Sequence, residues 1–321
     1  MERGKRVNNM ENKMDTVDLN IINTVYALAW GYREYYREWL EQIEVKSIEI
    51  SFAVPLRNPT TDCISTAAEL AGKIDKIIEI NGAVWIPDHK TTSRMPDRDF
   101  LKLSPQGDTY ILALKEKGIE AKGLIWDYIR KPGIRMTQKE TPEMYKARLI
   151  QDVASRPEFY FAQFQVQRGD ADIARTQADI WQCHKNLMTC HRDAIWPRYT
   201  CACNNNYGTC QFLPLCAEDN ELTRQGFEIR TEREFDSPEI GQAEKRRESN
   251  SSLNAFRTCP RLYYWKYVEN LEPTGRKEAL HTGKMMHDAL DCVYAGGDLQ
   301  DWYERKIAGE VKSNTKTEEE F

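Results

Sequence analysis

What this chain of 321 residues lacks narrows its function before any motif is read. No run approaches the roughly 18 apolar residues that a membrane span requires, so no membrane partner is expected. The N-terminal Met-Glu-Arg-Gly-Lys-Arg is not followed by the apolar core of a signal peptide, which makes the cytoplasm the expected location. A surplus of positive charge is missing too. The formal net charge is -5, so a wholesale cationic surface is excluded and any nucleic-acid site has to be a local groove. There is no G-x-x-x-x-G-K-[ST] loop, hence no ATP motor within the chain. The nine cysteines, an odd number, contain no C-x2-C pair of the zinc-ribbon kind. In a reducing compartment they point to metal or cluster ligation more than to disulfides.

Hydrophobic residues make up 40% of the chain, enough for one large core or two modest ones, and a single elaborated domain is the preferred reading. Residues 1–15 are polar and expected to be disordered. Apolar residues recur at helical spacing over 17–43, and 48–56 reads as a strand. Asn81-Gly82 then separates two apolar, β-branched runs, 66–80 and 83–91, the strongest short-range signal of a two-residue type I′ hairpin. In such a hairpin Asp75 faces Asp88 and Lys73 faces Lys90, with all four side chains on one side of the sheet. Two opposed carboxylates with Cβ atoms roughly 5 Å apart repel, so something positive belongs between them. A divalent cation would serve, held by carboxylate oxygens; so would Lys73 and Lys90 themselves on a solvated hairpin face. Pro87 is out of place inside a ladder and marks an edge or a bulge that re-aims Asp88. Gln106 and Tyr110 share one face of a helix read over 99–117, and 121–129 alternates into a further strand.

Arg130, Lys131, Arg135, Lys139, Lys146 and Arg148 cluster after that strand, either as a phosphate-contacting surface or as a solvated face. Residues 140–195 read as helices. Cys201, Cys203, Cys210 and Cys216 fall within sixteen residues rich in Asn, Gly and Tyr, where packing alone gives thiols little to do. Cys203-x6-Cys210-x5-Cys216 has the look of a metal or cluster site that lacks its fourth ligand. Cys63, Cys183, Cys190 and Cys292 read as ordinary thiols, although Cys183-His184 and Cys190-His191 offer a weaker zinc pairing.

Gly72-x-x-Asp75, Asp88-His89-Lys90 and Gln106-x-x-x-Tyr110, in this order and at this spacing, resemble the RecB-type branch of the PD-(D/E)XK nuclease superfamily. The resemblance implies an α/β restriction-endonuclease-like core, a mixed sheet flanked by helices, with helical additions and an iron-sulfur region. It also implies that Asp75 and Asp88 hold Mg²⁺ or Mn²⁺, that Lys90 assists the attacking water, and that Gln106 and Tyr110 position DNA. Arg130 and Lys131 are the expected DNA-binding residues, in a stretch that looks like phage members of the group. Further on, Ser251-Ser252-Leu253-x-x-Phe256-x-x-Cys259-Pro260-Arg261-Leu262-Tyr263-Tyr264 resembles the opening signature of members that carry an iron-sulfur staple. By that resemblance Cys203, Cys210, Cys216 and Cys259 hold a 4Fe-4S cluster, with Cys201 competing for the place of Cys203. Gly283-x-x-x-His287-x-x-Leu290 looks like the helical histidine motif, which makes His287, with the His89 carbonyl, a metal ligand beside the two acids.

The order of these elements is unusual, because in the family the cysteine signature and the histidine precede the hairpin. Residues 16–217 resemble the later part of the nuclease domain, 218–248 read as a linker, and 249–321 resemble its beginning. A circular permutation that completes one active site, a truncated second copy and an artificial junction all give this order. The first is preferred, because no motif is duplicated. The expected function is a metal-dependent DNA exonuclease on single-stranded ends, related to the CRISPR-associated iron-sulfur exonucleases and to the AddB nuclease domain. It would act in recombination, repair or phage DNA metabolism, in a prokaryotic host or phage-infected cell, with a helicase or recombination protein as partner. The alternative is a DNA-binding or assembly module that keeps the fold and cuts nothing.

Overall fold

The computed structural model describes residues 3–205, 208–230, 245–274 and 278–308. Parts of the expected linker (231–244) and of the C-terminal segment (309–321) lie outside the described residues.

Two long strands, β1 (Glu44–Arg57) and β2 (Ile64–Ile80), pair antiparallel over most of their length. β2 turns into β3 (Ala83–Thr92) through Asn81 and Gly82, whose φ values of 52° and 76° are the positive pair that a type I′ turn needs. Ile78↔Trp85, Glu79↔Val84 and Ile80↔Ala83 keep the two-residue register, and there the ladder ends. Pro87 has no N–H to give it. Only the parallel pairing with β4 (Ala121–Arg130) continues along β3, as far as Thr92↔Arg130. The expected direct facing of Asp75 with Asp88, and of Lys73 with Lys90, is therefore corrected: neither pair belongs to the ladder. Lys73 instead reaches back to β1, with Nζ 2.9 Å from Glu49 Oε1.

β5 (Phe161–Gln167) adds antiparallel to β4, and β6 (Arg246–Glu248) adds parallel to β2 at Ala68–Leu70. The result is a six-stranded mixed sheet. The longer helices are α1 (Arg3–Tyr35), α2 (Pro105–Glu116), α3 (Pro142–Ser155), α4 (Asp170–Asp193), α5 (Asn250–Thr258), α6 (Glu278–Tyr294) and α7 (Leu299–Ile307). α1 starts inside the stretch expected to be disordered; helix formation is cooperative, so a polar extension of an anchored helix needs no apolar stripe.

Each face of the sheet carries its own core. Phe52, Ile74, Ile86 and Trp126 pack with Leu114 of α2, Ile180 and Leu187 of α4 and Leu253 of α5. On the other face Ile78, Trp85 and Ile125 pack with Leu28 and Tyr32 of α1, Met286 and Leu290 of α6 and Trp302 of α7. The segment after residue 245 thus supplies a strand to the sheet, one helix to the first layer and two to the second. Burial on both faces explains why the first half of β3 and the middle of β4 are apolar, so that a charged residue there needs a partner. No helix among the described residues is long and apolar enough to cross a membrane.

Candidate active site

Where β2 and β3 part, the space between them fills with charge. Asp88 is fully buried on the face of β3 that points toward α2, with Lys90 Nζ 2.7 Å from its Oδ2 and Gln106 Nε2 donating to its Oδ1 at 3.1 Å. Gln106 Nε2 also lies 2.7 Å from Tyr110 Oη, so the i, i+4 pair on α2 acts as one bracket on the carboxylate. Pro105 at the first turn of α2 fixes where this bracket begins. From the far end of the chain, α6 brings His287 Nδ1 to 3.3 Å from Asp75 Oδ2. Asp75, Asp88, Lys90, Gln106, Tyr110 and His287 therefore converge.

The two acids are driven apart electrostatically. Burial raises the Asp88 carboxyl, and the charge of Asp75 adds to it, against the pull of Lys90 and His287. Burial acts upward on Asp75 too, but the hydrogen bond to His287 and the charges of His287, Lys76 and Lys90 bring it below the usual carboxylate range. Among the described residues no three His, Cys, Asp or Glu side chains stand close enough together to hold a metal ion as they are. The positive charge that two neighbouring acids require is supplied here by Lys90, while His287 lies against Asp75. The donor set nevertheless fits a hard divalent ion: two carboxylates, one of them raised by burial and by its neighbour's charge, and one imidazole nitrogen within reach.

His89 projects to the opposite face. Its ring is buried, with Nε2 3.4 Å from Asp127 Oδ2 and edge-on contacts to Tyr32 and Tyr294. Burial, with Lys76, His287 and Lys90 nearby, holds it far below the ordinary histidine range and so neutral. Only its backbone could face the acids. Behind the site lies a second network, unread at the level of motifs. Asp127 accepts from Tyr32 Oη at 2.5 Å and from Gln163 Nε2 at 3.1 Å, and Lys76 Nζ sits 2.5 Å from Asp291 Oδ1. Two signals were there: Lys76 occupies the core-facing alternation of Ile78, and Asp291 stands one helical turn after His287.

The basic cluster is only partly open. Arg148 is committed to Glu140 and Lys146 sits 3.9 Å from the Tyr303 ring centre. Arg130 lies over Phe159, Lys131 is half-buried beside Thr92, and Arg135 and Lys139 are exposed.

Some distance along the chain, Cys203, Cys210, Cys216 and Cys259 line a single cavity of about 150 Å³ with apolar walls that include Phe212 and Leu262. Tyr199 N–H donates to Cys259 Sγ and Trp265 Nε1 to Cys216 Sγ, each at 3.3 Å. Burial raises the Cys210 thiol, and the three neighbouring sulfurs add to it. Cys201 is exposed and does not line the cavity. Thiols are the donors a soft metal or a cluster takes, but here too no three of them stand close enough together to hold one as they are. Cys183 and His184 point elsewhere, His184 Nε2 lying 3.0 Å from Ser65 Oγ.

The model of the PD-(D/E)XK nuclease superfamily matches residues 21–217 and 247–320, and the chain belongs to that superfamily. Membership identifies it as a nuclease, with DNA as the substrate class and Mg²⁺ or Mn²⁺ as the usual metals. No curated protein and no solved structure matches the chain.

Proposed function

We propose that this nuclease is an exonuclease on single-stranded DNA ends whose active site is completed by its own C-terminal segment. The observation that carries the reading is the 3.3 Å approach of His287, from α6, to Asp75 on β2, beside Asp88 and Lys90 on β3. Asp75, Asp88, His287 and the His89 carbonyl would hold Mg²⁺ or Mn²⁺, the imidazole tilting preference toward Mn²⁺. When bound, the ion supplies a water of lowered pKa and neutralises charge developing on the scissile phosphate. Lys90, held against Asp88, stands where it can orient that water or take its proton. Gln106 and Tyr110 fix the Asp88 carboxylate and leave the half-exposed Lys90 facing the strand. Arg130 and Lys131, at the end of β4, would follow the phosphates.

The permuted order is supported by complementarity: the segment after 245 adds one strand, one histidine and one cysteine to a fold that otherwise has none of them at those places. A 4Fe-4S cluster on Cys203, Cys210, Cys216 and Cys259 is supported by their common cavity, and would act as a staple, since hydrolysis needs no electron transfer. The preference for ends and for single strands rests on the resemblance of the cysteine and histidine signatures to iron-sulfur exonucleases.

The test is degradation of 5′- and 3′-labelled single strands, and of the same strands circularised, with Mn²⁺. Loss of the linear strands alone supports the reading. Cutting of circles points to an endonuclease, and no cutting at all points to a binding module. Anaerobic purification tests the cluster, because a colourless, zinc-containing protein would overturn it.

A further inference from the structure

The segment between the catalytic lysine and the Gln106–Tyr110 helix presents apolar side chains to solvent. Phe100 is 68% exposed and Leu103 74% exposed, and few large apolar residues here are as bare. Their exposure is built into the fold. Leu101, between them, is buried in the core beside α2, and Asp97 caps the short helical turn 98–101 by accepting from Asp99 N at 2.8 Å. The Lys102 carbonyl accepts from Arg168 Nη1 at 2.8 Å, while the same guanidinium grips the buried Asp108 of α2. Phe100 and Leu103 are thus held outward on either side of an anchored turn.

The turn also lies over the face of the sheet that carries the acids. Asp88 stands beside Trp126 across β3 and β4, and Trp126 beside Phe164 across β4 and β5. The Arg98 guanidinium sits 5.2 Å from the Phe164 ring centre. Phe164 is therefore two strand spacings, roughly 10 Å, from Asp88 along this row, and Arg98 covers its ring. The segment is nearly neutral, because Lys102 is paired with Asp99 at 2.7 Å and Asp97 offsets a further cation. Phosphates would gain little from it; apolar, aromatic surface suits the faces of bases.

We infer that Phe100 and Leu103 form a platform on which unpaired bases of the substrate strand stack, within a few nucleotides of the bond that is cut. This rests on the single-strand reading above and adds a base-binding site to it.

Binding is measured by anisotropy of a labelled single-stranded oligonucleotide to the cleavage-deficient Lys90→Ala protein, with and without Phe100→Ala/Leu103→Ala, using normal and abasic strands. Removing the bases is expected to weaken binding about tenfold where the platform is intact and to cost the double variant nothing further. Phe100→Tyr should restore most of the affinity, which a merely misfolded turn would not allow. Equal losses in both proteins on removing the bases, or unchanged binding of normal strands by the double variant, would overturn the platform. The nuclease reading is judged separately, on cutting by the wild type. Cutting with an unaltered platform variant sinks only this inference, and a wild type that binds but never cuts sinks only the other.

Discussion

The acid site and the cysteine cavity are assembled on the same plan, from residues before 217 closed by a few residues after 245, yet they are held together differently. At the acid site polar contacts make the join, His287 to Asp75 and Lys76 to Asp291 behind them, with Lys90 paired to Asp88 beside it. Lys90 stands beside the acids where a metal would, so the geometry is set by the fold. Around the cysteines the contacts are weak N–H to sulfur bonds and the packing of Phe212, Leu215, Trp265 and Leu271. Among the described residues no ion pair joins the thiols, although Arg198 lines the cavity that remains among them and donates to the Cys216 carbonyl at 3.0 Å. The contrast teaches that losing a ligand should cost activity at the first site and stability at the second.

The largest effect that would sharpen this contrast is at Lys90. Lys90→Ala is expected to lower kcat on single-stranded DNA by roughly 10²–10⁴ while the thermal midpoint stays within a few degrees. A variant that loses its fold instead would show that the acid site is held by the lysine and not by the sheet. At the cysteines the order reverses. Cys259→Ser should abolish the visible absorbance and lower the midpoint, at roughly 2–4 °C for each kcal/mol lost. Cys201→Ser should change neither, and spectra in which Cys201 substitutes for Cys203 would break the assignment.

The smallest effect lies behind the acids. Burial pushes the Asp127 carboxyl up to about 7, with the charge of Asp88 adding to it, against its bonds to Tyr32 and Gln163 and the charge of Lys76. Between its ordinary 3.8 and about 7 the folded protein keeps a proton that the unfolded chain has released, so stability falls as pH rises through that window. Asp127→Asn cannot titrate and should flatten this fall. Denaturant midpoints at pH 5 and pH 8 would show it, and an unchanged slope would place the titration elsewhere.

Local features were legible in the sequence in proportion to how locally they are decided. Asn81-Gly82 fixed its turn because two positive φ values are a property of two residues. The parting of β2 from β3 was not legible beyond the hint of Pro87, because it depends on β4 arriving to compete for the same strand. Gln106 and Tyr110 were found through helical spacing, and their convergence on Asp88 followed. His287 was found only through motif likeness, since no periodicity connects residue 287 to residue 75. The Lys76–Asp291 pair was missed because a lysine in a strand is read as solvated, whereas here it is fully buried between two layers. His89 was read as offering its carbonyl, and its side chain does lie on the opposite face, as simple alternation requires.

The central claim is that the C-terminal segment completes the active site of the same chain. It is tested most directly by His287→Ala, compared with the wild type in degrading end-labelled single-stranded DNA across a Mn²⁺ titration. The account predicts a folded variant that needs at least roughly tenfold more Mn²⁺ or does not cut at all. A variant that cuts as the wild type does, at the same Mn²⁺, would contradict it.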